Sequence, residues 1–260
     1  MTATPSLESP TPMLEVEHAA SVLTIRLARP EALNALRPEM LEGIASLVEA
    51  AGAREDVAVV VLEGKGRAFS AGVDLKVLQG IDPVAGKIGD VFDAPARRAY
   101  QAIRRSPLPV IAKVHGACFT GALEIALHCD FVLTTVDAKF GDTHTKFGLR
   151  PTWGMSQTLA QAVGVRRAKE LSFTARTFRG DEAVAWGVAN EAVADREALD
   201  RLVAERAAQI AANSRAAVAA MKSLYALAQE ARPMDEALET ELARDFPEIR
   251  DSAERLAGFA

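Results

Sequence analysis

The chain has 260 residues, 49% of them hydrophobic, 25% charged and 5% aromatic, with a net charge of −5 and a pI near 5.5. That length buries a large core without staples, and the acidic balance excludes general attraction to nucleic acid or anionic membrane, so a phosphate-bearing ligand needs a local site. No apolar run approaches the ~20 residues that span a bilayer. Cys118 and Cys129 lack the paired spacing of a zinc site or a disulfide framework, which fits a reducing cytoplasm and no metal.

Residues 1–13 carry Pro, Ser and Thr without a basic start leading into an apolar run, and read as a frayed leader rather than a secretory signal. Two strands follow at 14–18 and 22–27 around a turn-prone segment. After Pro38, the apolar residues Met40, Leu41, Ile44, Leu47 and Val48 recur at helical spacing. Residues 57–64, VAVVVLEG, form a continuous β-branched run expected of a central strand covered on both faces.

A glycine-containing loop and a long irregular stretch reach to Asp93, followed by a helix over 96–106 and a buried strand over 109–116. Residues 121–130 have a helical pattern and 130–137 that of a strand. From 154 onward the composition is almost wholly helical, apart from a short strand near 188–193. Neither a repeat of fixed length nor a low-complexity linker divides the chain. Its organisation reads as a leader (1–13), a core (14–195) and a C-terminal helical region (196–260) whose Ala-rich faces suit either a partner subunit or the chain's own core.

Gly64 and Gly66 imitate the start of a dinucleotide fingerprint, but the third glycine position holds Phe69 and no acidic strand end follows at the required distance. RAFSAGVDLK (67–76) places Ala71 and Gly72 where free N–H groups at a turn point outward, a natural seat for a developing oxyanion and equally an ordinary tight connection. A second small-residue turn, Gly116 to Ala122, opens the helix that carries Glu124. Glu124 fits a solvated first-turn glutamate that complements the helix dipole. Its neighbours Leu123, Ile125, Ala126 and Leu127 equally fit a carboxyl whose pKa is raised toward acid/base work.

RPEALNAL (29–36), RAFSAGVDLK (67–76), VHGACFTGALEIALHCDFVL (114–133), FGLRPTWGMSQTLAQAVG (147–164) and ARTFRGDEAVAWGVANEAV (175–193) resemble, in order and spacing, the enoyl-CoA hydratase/isomerase or crotonase family, over residues 14–260. The resemblance implies an α/β fold, a crotonase-like spiral of repeated ββα units, with a C-terminal helical trimerisation region that builds a homotrimer or a dimer of trimers. It implies an acyl-CoA substrate, with coenzyme A entering as part of the thioester and no separate cofactor.

Matched residue by residue, the oxyanion-hole N–H groups fall on Val73 and Gly121, and Ala71, Asp74, Leu75 and Lys76 follow the coenzyme A. The first catalytic glutamate of the family's hydratases coincides with Glu124, and the position of the second holds His144. Imidazole is chemically competent for that role, because both its forms are populated near neutrality. Asp142, two residues earlier, shares a face with His144 if the segment is extended, and otherwise reads as a turn residue. Thr152 and Trp153 stand where hydratases commonly carry small residues, so Trp153 either shortens the acyl pocket or packs outside it. The expected reaction is hydration of a 2-enoyl-CoA to a 3-hydroxyacyl-CoA through a stabilised enolate. The alternatives are double-bond isomerisation or non-catalytic acyl-CoA binding.

Overall fold

The computed structural model describes residues 5–79 and 83–229. A hairpin of β1 (Leu14–Ala19) and β2 (Val22–Leu27) leads into α1 (Pro38–Gly52) and β3 (Val59–Gly64). Then come α2 (Asp90–Arg105), β4 (Val110–Val114), β5 (Ala117–Phe119), α3 (Gly121–His128), β6 (Phe131–Thr135) and β7 (Lys139–Gly141). The last described part holds α4 (Met155–Val163), α5 (Val165–Thr174), β8 (Phe178–Arg179), α6 (Gly180–Trp186), β9 (Glu191–Val193), α7 (Arg196–Ala211) and α8 (Arg215–Tyr225). Residues 230–260 of the expected C-terminal region lie outside the described residues.

Six strands form one sheet in the order β1-β2-β3-β4-β6-β9, parallel except for the opening hairpin, and β5-β7-β8 form a second, smaller sheet. β3 is buried throughout, as its unbroken apolar run requires. One face of the large sheet meets α1, α2 and α3 in the main core. The other is covered by α7, through Leu199, Leu202 and Val203 against Val59, Val61, Ile111 and Leu133. One cross-strand row of the sheet is charged: Arg26, Glu63 and Lys113 are register partners, and the buried Glu63 carboxylate bonds both cations. Asp200 of α7 pairs with Lys113 and thereby fixes the helix to the sheet.

Several elements differ from their sequence patterns. β5, β7 and β8 are two or three residues long, too short for periodicity to register, and they exist because each pairs with another in the second sheet. α2 begins at Asp90 and runs through Pro95; a proline inside the first turns hides the helix from its sequence pattern, yet Phe92 and Ala96 are buried on its inner side.

Candidate active site

Two backbone turns meet at the junction of the sheets. Ser70 N–H donates to the Ala117 carbonyl at 2.9 Å and Phe119 N–H donates to the Ser70 carbonyl at 3.2 Å, so the loop after β3 is laced to β5. Gly72, at φ +98°, lies so close that a Cβ there would sit 2.9 Å from the Phe119 carbonyl oxygen. Leu36 N–H bonds the Gly72 carbonyl at 2.7 Å and the Leu36 carbonyl accepts from Asp74 N–H at 2.8 Å. These two bonds of a parallel bridge flank Val73, so its own N–H faces away from Leu36. Gly121 is the first residue of α3, where an N–H has no helical acceptor.

The residues expected around coenzyme A divide. Leu75 and Lys76 are exposed, whereas Asp74 is buried, salt-bridged to Arg29 at 2.8 Å and bonded by Lys76 N–H at 3.0 Å. Burial opposes its ionisation, but the Lys76 N–H and the Arg29 guanidinium hold the carboxyl below its ordinary pKa. Asp74 therefore anchors the loop from inside, and Ala71 donates its N–H to the Leu33 carbonyl at 3.0 Å. Asn34, fully buried, bonds the Arg29 N–H and the carbonyls of Lys65 and Ala68, which ties the same loop to the start of α1.

Thr120 precedes α3 at φ +51°, ψ −114°, a backbone conformation that L-residues rarely adopt. It is held there by its N–H bond to the Gly141 carbonyl, at 2.9 Å, and by a 2.6 Å hydroxyl contact with Thr143.

Glu124 lies one turn along α3 and is 1% exposed. Its Oε1 accepts from Trp153 N–H at 3.1 Å and Met155 N–H at 3.0 Å, and its Oε2 stands 3.7 Å from His144 Nε2. Burial pushes its pKa up to about 7, against the opposing pull of His144 and of the two N–H donors. His144 opens a short 3-10 turn, His144–Phe147, and its Nδ1–H donates to Asp142 Oδ1 at 2.7 Å. The same oxygen accepts His144 N–H at 3.2 Å, so the two residues meet through a tight turn and not through an extended strand. Burial works against ionisation of Asp142, but bonds from His144 and the Ser172 side chain prevail and keep its pKa low. The ring is thus fixed with Nε2 facing Glu124.

Trp153 is 2% exposed and its ring lies against Gly121: a Cβ on Gly121 would come within 2.5 Å of Trp153 Cζ3. The indole N–H donates to Asp93 Oδ1 at 3.0 Å, Thr152 Oγ1 donates to the same oxygen at 2.6 Å, and His128 Nε2–H donates to the Trp153 carbonyl at 2.7 Å. His128 stacks on Tyr100 at 4.6 Å, and burial lowers its pKa. The sequence pattern points to neither Asp93 nor His128 as part of the site. Asp93 reads locally as one more acidic residue near a helix start, and His128 as the last residue of an apolar helix, so neither advertises its bond to the 152–153 segment.

The profile of the enoyl-CoA hydratase/isomerase family matches residues 17–260, and the chain belongs to that family. A probable peroxisomal enoyl-CoA hydratase 1 of Arabidopsis thaliana is 33% identical over 208 residues, 80% of this chain and 76% of the relative. A short-chain-enoyl-CoA hydratase of Clostridium acetobutylicum is 30% identical over 258 residues, 95% of this chain and 97% of the relative. Among solved structures, an enoyl-CoA hydratase/carnithine racemase of Magnetospirillum magneticum superposes with a TM-score of 0.87 at 31% identity, over 96% of this chain and 92% of the other. The expected crotonase-like fold is the observed one, and the chain processes acyl-CoA thioesters. Among the described residues, no helix is long and apolar enough to cross a membrane.

Proposed function

We propose that the chain hydrates 2-enoyl-CoA thioesters to 3-hydroxyacyl-CoA, with Glu124 and His144 as the acid/base pair. The observation that carries this reading is the 3.7 Å approach of Glu124 Oε2 to His144 Nε2 beside the two turns. The thioester carbonyl takes the Val73 and Gly121 N–H groups, which stabilise the enolate; one such donor is typically worth about 3 kcal/mol. Glu124 removes a proton from water as the oxygen bonds to the β-carbon, and His144, oriented by Asp142, protonates the α-carbon. The pair then holds the same single proton on the opposite partner, and transfer from Glu124 to His144 over that short gap resets the site.

Lys76, exposed at the loop end, suits a coenzyme A phosphate, while Ala71 and Leu75 border its path. The same reading includes a homotrimer or a dimer of trimers, supported by exposed Met221 and Tyr225 one turn apart on α8, and a cytoplasmic location, supported by two buried cysteines left as free thiols.

The test is product identification after separate incubation with a 2-enoyl-CoA and a 3-enoyl-CoA. Formation of 3-hydroxyacyl-CoA from the former supports hydration; interconversion of the two without hydroxyl addition establishes isomerisation, and saturable binding without turnover removes catalysis.

A further inference from the structure

We propose that Trp153 is the residue that limits acyl-chain length, a fixed wall on the acyl side of the site that confines the substrate to short chains. The inference rests on the reading that the thioester carbonyl sits between Val73 and Gly121, and it adds what lies beyond the reacting carbons.

Trp153 touches both halves of the chemistry: its N–H bonds Glu124 Oε1 at 3.1 Å, and its ring edge covers Gly121, with Cζ3, Cη2 and Cε3 at 2.5, 3.1 and 3.2 Å from where a Cβ would be. A thioester on the Gly121 N–H presents its α- and β-carbons to Glu124, and the tail that continues past them meets the six-membered edge of the indole.

A buried tryptophan that swings on its χ angles makes a poor ruler, but this one is held at its far end by the Asp93 bond to Nε1, at its carbonyl by His128, and along its ring by Phe92 at a centroid distance of 6.2 Å. Thr152 bonds the same Asp93 oxygen, so the loop and the ring are tied to one point on α2. Opening the site to a long chain requires breaking the indole bond to Asp93 and leaving the indole N–H unpaired. Asp93 is therefore the positioning residue of the wall. Loss of space for even one methylene is worth about tenfold or more in kcat/KM in an apolar pocket.

The test uses the full chain and straight 2-enoyl-CoA thioesters of four, six, eight and ten carbons, measuring kcat/KM, together with equilibrium binding of the saturated acyl-CoA series. The unmodified protein is expected to lose both turnover and affinity as the chain lengthens. Trp153→Ala should raise the ratio of eight-carbon to four-carbon kcat/KM by on the order of tenfold or more, and Trp153→Phe, which keeps most of the packing, should move it the same way by less. Asp93→Ala should give a partial shift and Asp93→Asn, which keeps an acceptor oxygen, should restore the original profile. A length profile unchanged in Trp153→Ala and Trp153→Phe overturns the proposal, as does a preference for long chains in the unmodified protein. A shifted binding profile in a protein that hydrates nothing sinks the hydratase reading and leaves the wall standing.

Discussion

Asp142 binds His144 twice through a single oxygen, accepting the ring Nδ1–H at 2.7 Å and the backbone N–H at 3.2 Å. The residue that orients the imidazole also builds the turn that presents it. Asp142→Asn keeps an oxygen for the backbone bond and removes the carboxylate that orients the ring through Nδ1–H, so kcat should fall about ten- to a hundredfold with KM little changed. Nitrogen chemical shifts of the ring should show a changed tautomer balance. An unchanged kcat would confine Asp142 to a structural role.

Glu124→Gln removes the base and retains an oxygen for the Trp153 and Met155 N–H groups. Turnover should fall by about two to four orders of magnitude while acyl-CoA affinity stays within a few fold. Full hydration by this variant would eliminate Glu124 from the reaction.

The same substitution should stabilise the fold, in a pH-dependent way. Glu124 has a folded pKa of about 7 against an ordinary 4.5, so between those values the folded state holds a proton that the unfolded chain has released. The associated stability is fully present below pH 4.5 and is lost as pH rises through about 7, a change of roughly 3 kcal/mol for a shift of that size. Relative to the parent, Glu124→Gln should gain more in Tm at pH 8 than at pH 5. Equal gains at both would show that the carboxyl titrates normally.

Gly121→Ala places a methyl against a ring that Asp93 prevents from retreating. A loss of about 1–3 kcal/mol is expected from denaturant unfolding, with turnover reduced as the N–H donor shifts. In a Trp153→Ala background the same substitution should cost little, giving a coupling of about 1 kcal/mol or more. Additive losses would show that the two residues do not meet.

Arg29→Met leaves Asp74 buried without its 2.8 Å partner. Stability should drop by about 3 kcal/mol, and kcat should drop with it because Asp74 follows Val73 directly. Adding Asp74→Asn should restore much of the stability; no recovery would mean that Arg29 acts only through its bond to the Ala35 carbonyl.

Much of the scaffold was legible because its signals are local. The β-branched run of β3 fits its complete burial, and Met40, Leu41, Ile44, Leu47 and Val48 all line the buried side of α1. The second sheet was not, since strands such as Phe178–Arg179 carry no period of their own and depend on pairing across distant chain. At the site, Glu124 stood out by its apolar neighbours, and burial is what raises its pKa. Asp142 and His144 do meet, although by an acidic turn and not by a shared strand face. Trp153 against Gly121 and its tether to Asp93 join positions far apart in sequence, and only the seating of the loop before α4 against α2 and α3 reveals them.

The cramped backbone of Thr120 bears on how this chain can be improved. A non-glycine residue in such a conformation forfeits about 1–3 kcal/mol, and Thr120 immediately precedes the Gly121 N–H that faces the thioester in the proposed reaction. Heat-resistance screening would therefore be drawn to glycine at 120, where relief of strain competes with loss of the Thr143 contact that fixes the turn. The sturdiest descendants need not be the fastest, and a library sorted by survival alone would discard the aim of the Gly121 donor without registering what had gone.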